Sequence, residues 1–354
     1  MTTFADIPEQ TEAKRLLEAA LAEGPAHAYL FHGPAGVGKR PAAQAFAAAL
    51  LGDPRRVDGR THPDLHITEA LGAMIRIDEI RALHHDLHLR PFEADRRVYL
   101  ILDADRMNDE AAAALLKDLE EPPPYATLVL VADELGKLPE TIRSRCQLVP
   151  FRRLSRTAVE TWLAARESGL GPEELAIVAR LAGGRLDRAA RQLDDDVRTR
   201  RDALLDAARG VYADEGFDPA AAAVVILDGA RSLGTDARRR EQELVDGLDL
   251  PAREAEQRVR RAEFGAERAE VLASLDDLAA WYRDLVVTAN GAEGTVVHVD
   301  RLDRLREDAE GPAGQGAEQA AAVVRQAWRE IEELNLNLPL FLEALFIRLH
   351  RVFS

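Results

Sequence analysis

Hydrophobic positions along this chain fall into two regimes. Up to about residue 150, short all-apolar runs alternate with stretches that are apolar at helical spacing. Ala28–Phe31, Asp64–Thr68 with its flanks, Val98–Leu102, Leu128–Val131 and Gln147–Phe151 read as strands. Between them, helices are expected over 9–22 (apolar at Ala13, Leu16, Leu17, Ala20 and Leu21), Arg40–Leu51, Arg76–Leu89 and Asp109–Leu119. A short helix should end at Ser144–Cys146. Pro41 falls in a first helical turn, where a missing N–H costs little. Apolar strands without polar alternation, separated by helices, predict an α/β domain whose parallel sheet is covered on both faces.

Beyond Phe151 the β signals nearly vanish. Thr157–Glu167, Pro172–Leu181 and Arg185–Leu193 predict three short helices, and from Thr199 the pattern is mostly helical. It breaks at Gly216–Pro219, Ala289–Gly294 and the Gly/Pro-rich Glu310–Gly316. The densely charged, mixed-sign stretch Arg238–Arg268 predicts a solvated helical face or arm. No repeat of 20–50 residues is evident. The expected organisation is an α/β domain over 1–153, a small helical lid over 154–198 and an all-helical domain over 199–354.

Composition narrows the class. A chain of 354 residues with 47% hydrophobic content can build two or three packed domains. Its net charge of −16 argues against wrapping nucleic acid alone. One cysteine, Cys146, supports neither a disulfide framework nor a Cys-based zinc site, and the expected role of its side chain is that of a small buried hydrophobe. No run approaches the ~18 apolar residues of a membrane helix, and no signal-peptide pattern opens the chain, so a cytoplasmic protein is expected. Of 46 basic residues only four are lysines: Lys14, Lys39, Lys117 and Lys137. Against that arginine bias, a retained lysine hints at a site that wants an ammonium.

The first candidate chemistry is a phosphate loop. Gly33, Gly36, Gly38 and Lys39 stand after a strand and before a helix, where backbone N–H groups can cradle phosphates and Lys39 can reach the outer ones. The residue after Lys39 should be a Ser or Thr that helps hold Mg²⁺, yet it is Arg40, which has only donors. Magnesium-dependent turnover is therefore not expected. ATP held without hydrolysis, or a glycine loop kept only for the turn, both stay open. His62, His66, His84, His85 and His88 match no metal-ligand spacing, and no metal site is expected.

Several strings carry a family resemblance. LLKDLEEPP at Leu115–Pro123, KLPETIRSRC at Lys137–Cys146, HAYLF at His27–Phe31 and FADIPEQ at Phe4–Gln10 resemble bacterial DNA polymerase III clamp-loader subunits, members of the AAA+ P-loop group. The likeness is dense over residues 1–150. It is thinner at Leu181–Leu193, at Trp281–Leu285 and at Leu334–Leu349. The resemblance implies a AAA+ domain, a helical lid, and a C-terminal collar that ties subunits into a ring. It also implies an acidic strand end for metal and water, but aligned on Leu115–Pro123 those positions hold Leu102 and Asp103, with Asp105 a weak substitute. The polar sensor after the Leu128–Val131 strand is replaced by Ala132 and Asp133. A second sensor arginine in the lid aligns with Asp187, between Arg185 and Arg188. The four-Cys zinc module of many relatives is absent from 52–62.

One family residue is intact. In Ser144-Arg145-Cys146, Arg145 occupies the position of an arginine finger that enters a neighbouring subunit's ATP site. A damaged site of its own beside a residue to lend resembles the delta-prime, or stator, branch. That branch implies a hetero-pentamer with gamma/tau motor subunits and a clamp-opening delta subunit, loading a sliding clamp on primed DNA. The rivals are an ATP-hydrolysing gamma/tau-type motor subunit, a P-loop phosphotransferase and a AAA+ adaptor outside replication. Arg40 and Leu102 argue against the first two, and only partner identification excludes the third.

Overall fold

The computed structural model describes residues 3–70, 74–166, 169–247, 251–334 and 336–354. Five strands form one sheet: β1 (Ala28–His32), β2 (Leu65–Thr68), β3 (Arg97–Ile101), β4 (Ala126–Ala132) and β5 (Gln147–Pro150). Its order is β2-β3-β4-β1-β5, and every pairing is parallel. The helices in chain order begin with α1 (Thr11–Glu23), α2 (Lys39–Leu51), α3 (Pro54–Asp58), α4 (Ile77–Leu87), α5 (Asp109–Glu120) and α6 (Glu140–Arg143). There follow α7 (Arg156–Ala164), α8 (Pro172–Ala182), α9 (Leu186–Arg191), α10 (Asp195–Ala213), α11 (Pro219–Asp246), α12 (Ala252–Ala289), α13 (Leu302–Ala309), α14 (Pro312–Glu333) and α15 (Leu338–Phe353).

The sheet's two faces bury different side chains because strand residues alternate in direction. Tyr29, Phe31, Val98, Leu100, Val129 and Val131 pack with Leu17 and Phe46 of α1 and α2. Leu30, Tyr99, Ile101, Leu128 and Leu130 pack with Ile80, Leu83 and Leu115 of α4 and α5. This is the doubly covered parallel sheet that the apolar runs predicted.

Two boundaries differ from the sequence reading for the same reason, a buried charge serving the backbone. Asp64 stands just before β2, accepting the N–H groups of Phe92, Glu93 and Ala94 at 2.7, 3.0 and 2.9 Å. Burial works against its charge, yet those bonds and Arg97 outweigh it and hold the carboxyl below its usual value. Arg97, 3% exposed, opens β3, donates to the Asp86 and Leu89 carbonyls at 3.4 Å and pairs with the Asp86 carboxylate at 2.7 Å.

The chain's contacts group it into two compact units, Met1–Ser168 with Ala182–Ala189, and Gly169–Leu181 with Ala190–Ser354. Residues of the lid expected over 154–198 thus divide between them. The second unit is helical. Its core runs from Leu204, Leu205 and Ile226 through Leu275, Trp281 and Tyr282 to Val324, Leu342, Phe346 and Leu349. Residues 248–250 of the charged stretch lie outside the described residues; the rest falls mainly in α11 and α12, where Arg238–Glu263 and Arg258–Glu241 pair across the two helices. In the resemblance string at Asn335–Leu349, Asn335 lies outside the described residues, as does Glu167 at the end of the helix expected before it. In α15, Leu342, Leu345 and Leu349 are buried, while Leu340 is 67% and Ile347 36% exposed. Among the described residues no helix is long and apolar enough to cross a membrane.

Candidate functional site

The C-terminal ends of the strands converge where open parallel sheets place their ligand sites. β1 lies between β4 and β5, with His32 in register with Ala132 and Pro150. The chain leaves β1 through Gly33, Gly36 and Gly38, with φ of 139°, 70° and 101°, a region side chains rarely adopt. A Cβ on Gly33 would stand 2.1 Å from the Phe151 carbonyl oxygen. Gly38 then caps α2, whose first residue is Lys39. The predicted strand–loop–helix geometry is present.

The loop's lysine is occupied. Lys39 is 3% exposed and donates to the carbonyls of Gly33 at 2.6 Å and Pro34 at 2.5 Å. It also pairs with Asp133 at 2.7 Å. These contacts use all three donors of the ammonium. Asp133, which replaces the expected polar sensor, thus sits where a phosphate would compete for Lys39. Replacing Lys39 with methionine should strand two carbonyls and a carboxylate, lowering stability by about 1–3 kcal/mol. Urea unfolding without nucleotide checks this, and a change within the ~0.5 kcal/mol of ordinary surface substitutions would contradict it.

Arg40, the next residue, is engaged as well. Arg40 pairs with Asp103 at 2.5 Å and lies 3.9 Å from Glu69. Burial works against the Arg40 charge, but Asp103, with Glu69 and Asp133, outweighs it and holds the guanidinium above its ordinary value. Asp103 adopts a left-handed conformation, φ 57° and ψ 41°. Leu102 is 2% exposed within the apolar core. Asp105 accepts the N–H groups of Asp133 at 3.2 Å and Glu134 at 2.9 Å, and burial holds its carboxyl above the usual range. Both carboxylates at the strand end are therefore committed to partners within the chain. Glu69, which also pairs with Arg60 at 2.9 Å, gave no signal in the sequence.

Asp187, expected in the lid, completes the picture. A Cβ on Gly36 would stand 1.8 Å from Asp187 Oδ1, so the carboxylate lies against the glycine loop. The Leu186 N–H donates to the Gly36 carbonyl at 2.6 Å. Arg185 grips Asp187 through two bonds of 3.1 and 2.7 Å. Burial opposes the Asp187 charge, but Arg185 and Arg188 outweigh it and the carboxyl stays below its usual value. An anion pressed on the glycine loop would repel a phosphate brought to it.

Arg145 stands apart from this cluster. It follows α6 and is about one-third exposed, with its guanidinium on Glu120 at 2.6 Å and on the Thr141 carbonyl at 2.9 Å. Glu120 is the last residue of α5, so the LLKDLEEPP and SRC strings meet in space. Cys146 is partly buried, and burial pushes its thiol up to about 12, which leaves it unreactive at neutral pH.

The histidines divide. His62 is buried and accepts the Asp64 N–H at 3.1 Å, and His66 lies against Tyr99 with ring centroids 5.7 Å apart. His84 and His88 come together with Asp118, a grouping hidden in the sequence because the aspartate is 34 positions from His84 on another helix.

Comparison with known proteins follows the same residues. Residues 9–155 match the family model described as "DNA polymerase III, delta subunit". The chain is 34% identical over 167 residues to DNA polymerase III subunit delta' of Bacillus subtilis (strain 168), covering 44% of this chain and 50% of that one. It is 35% identical over 191 residues to the delta' subunit of Pseudomonas aeruginosa, covering 50% and 58%. To subunit tau of Bacillus subtilis it is 27% identical over 357 residues, covering 94% of this chain and 59% of tau. The chain thus spans about half the length of the curated relatives it matches. Over residues 9–155 the chain is similar to the DNA polymerase III delta-subunit family and, across about half its length, to DNA polymerase III subunits of the delta-prime type.

Proposed function

We propose that this chain is the delta-prime-type stator of a DNA polymerase III clamp loader. It assembles with gamma/tau-type motor subunits and a delta-type clamp-opening subunit in a cytoplasmic hetero-pentamer. It has no ATPase activity of its own. Through Arg145 it completes the ATP site of the adjacent subunit, so that the complex loads the sliding clamp on primed DNA. The observation that carries this reading is a contrast within one domain. Lys39, Arg40 and Gly36 are engaged by Asp133, Asp103 and Asp187, whereas Arg145 stands at the surface on an exposed carboxylate.

The chemistry of a shared site fits that contrast. Charge developing on a transferred phosphoryl group is stabilised by a planar guanidinium that donates two parallel bonds. Moving Arg145 from Glu120 to phosphate oxygens exchanges one anion for another. The contact given up is a solvent-exposed ion pair, worth at most ~1 kcal/mol.

A second reading, an ATP-hydrolysing gamma/tau-type motor, draws on the likeness to tau along most of the chain. Reconstitution separates the two. For a stator, the isolated chain should show no DNA-stimulated ATPase, and omitting it from a mixture of motor and clamp-opening subunits should abolish loading on primed DNA. Turnover by the isolated chain at a motor's rate would establish the second reading instead.

A further inference from the structure

Helix α4 carries His84 in its last turn and His88 at its C-cap. That four-residue spacing puts both on one helix face, and their rings meet edge-on with centroids 4.8 Å apart. The face they share looks onto α5, which brings up Asp118. Asp118 is 2% exposed, and its Oδ1 lies 2.6 Å from His84 Nδ1. Its other oxygen, Oδ2, is buried with no hydrogen-bond partner. One potential ligand atom from each of the three residues lies within 4.8 Å of the others.

An orphaned oxygen on a buried carboxylate is costly, and the His84 bond satisfies only half of the group. The other polar side chain grouped with this carboxylate is the His88 imidazole. We propose that His84, His88 and Asp118 bind a divalent first-row transition ion of the Zn²⁺ class, joining α4 to α5. Two imidazoles and one carboxylate suit Zn²⁺, Co²⁺, Ni²⁺ or Cu²⁺, whereas Mg²⁺ and Ca²⁺ prefer all-oxygen sets. His84 is half-exposed on its side chain and His88 is exposed, so the ion enters from solvent and keeps water in its remaining position.

Ligand atoms around a tetrahedral ion with bonds of about 2.0–2.1 Å stand roughly 3.3 Å apart. Ligand atoms of this cluster that stand up to 4.8 Å apart must therefore close by about 1.5 Å, and the two solvent-facing histidine side chains can supply that movement. Any proton on a ligating atom is released to solvent as the metal takes its place. The site does not use the phosphate loop or Arg145, so it stands or falls separately from the replication role.

The test is a titration of the full, tag-free chain with Co²⁺ and then Zn²⁺. One Co²⁺ per chain should bind with a visible absorption band, Zn²⁺ should displace it, and millimolar Mg²⁺ should not. His88→Gln changes an exposed side chain and leaves the fold intact. It should weaken Co²⁺ binding by more than the ~10–100-fold that loss of a group merely supporting a ligand costs. Zn²⁺ should raise the Tm of the parent chain and not of His88→Gln. Asp118→Asn should lose binding too, and if it fails to fold, the His88→Gln result decides alone. Equal affinity in the parent and His88→Gln, or several weak sites of which none is lost, would overturn the proposal.

Discussion

Replacing Arg145 with alanine in the assembled clamp loader is expected to slow hydrolysis at the neighbouring ATP site by ~10³-fold or more, with assembly unchanged. That factor corresponds to about 4 kcal/mol of transition-state stabilisation, far more than a surface ion pair contributes to folding. The folded chain should barely register the change, because Arg145 is tied to an exposed Glu120 and one carbonyl of the preceding turn. Arg145→Lys keeps the charge but loses the planar fork, so most of the activity should still be lost. The measurement is DNA-stimulated ATPase of complexes matched for subunit content. A rate equal to that of the parent complex would remove Arg145 from any shared site. The complex would then need another source for its trans-acting cation, and this chain would be a scaffold.

Asp284→Ala is expected to destabilise the helical unit by about 3–5 kcal/mol, the largest stability effect foreseen for a single side chain here. Asp284 is fully buried in α12. It accepts the Val297 N–H at 2.9 and 3.1 Å, the His298 N–H at 2.8 Å and the His298 ring at 2.9 Å. His298 is itself 1% exposed and packs edge-on against Trp281. Truncation to alanine would leave the two buried backbone donors, as well as the ring nitrogen, without their shared acceptor, and each orphan adds to the cost. Asp284→Asn retains one acceptor oxygen and should cost less. Urea unfolding followed by tryptophan fluorescence reads the effect, since Trp281 lies in this core. A chain of two units can unfold in more than one step, so the transition containing Trp281 is the one to fit. Loss of under ~1 kcal/mol would mean that water replaces the carboxylate, and the motif's aspartate would then be a surface feature rather than the anchor of the loop after α12.

WYRDL at Trp281–Leu285 resembles in sequence a collar helix that ties subunits into a ring, a reading compatible with a bundle core. Trp281, Tyr282, Asp284 and Leu285 are all buried within one unit, so the core requirement alone accounts for those four. The exposed Leu340 and Ile347 of α15 are the positions there that core packing leaves unexplained.

Much of the architecture was legible in the chain because its causes are local. Apolar runs of strand length and helical spacing reflect which face each element must bury, and they located all five strands and the helices between them except the short α3. The glycine loop was legible too, since positive φ at Gly33, Gly36 and Gly38 demands that residue type wherever the chain goes afterwards. The substitutions at Arg40, Leu102 and Asp187 were visible as departures from a pattern.

What each departure does was decided only by the fold. Charges pair through space, and the partner of each was supplied by a distant segment: Asp133 for Lys39, Asp103 for Arg40 and Glu120 for Arg145, while Asp187 was brought against Gly36. No periodicity encodes such pairings, because they depend on which strand ends a parallel sheet gathers at one edge. The cluster of His84, His88 and Asp118 makes the same point most sharply. Its two histidines are a local helical repeat, but the buried carboxylate that turns them into a ligand set exists only once α5 packs on α4.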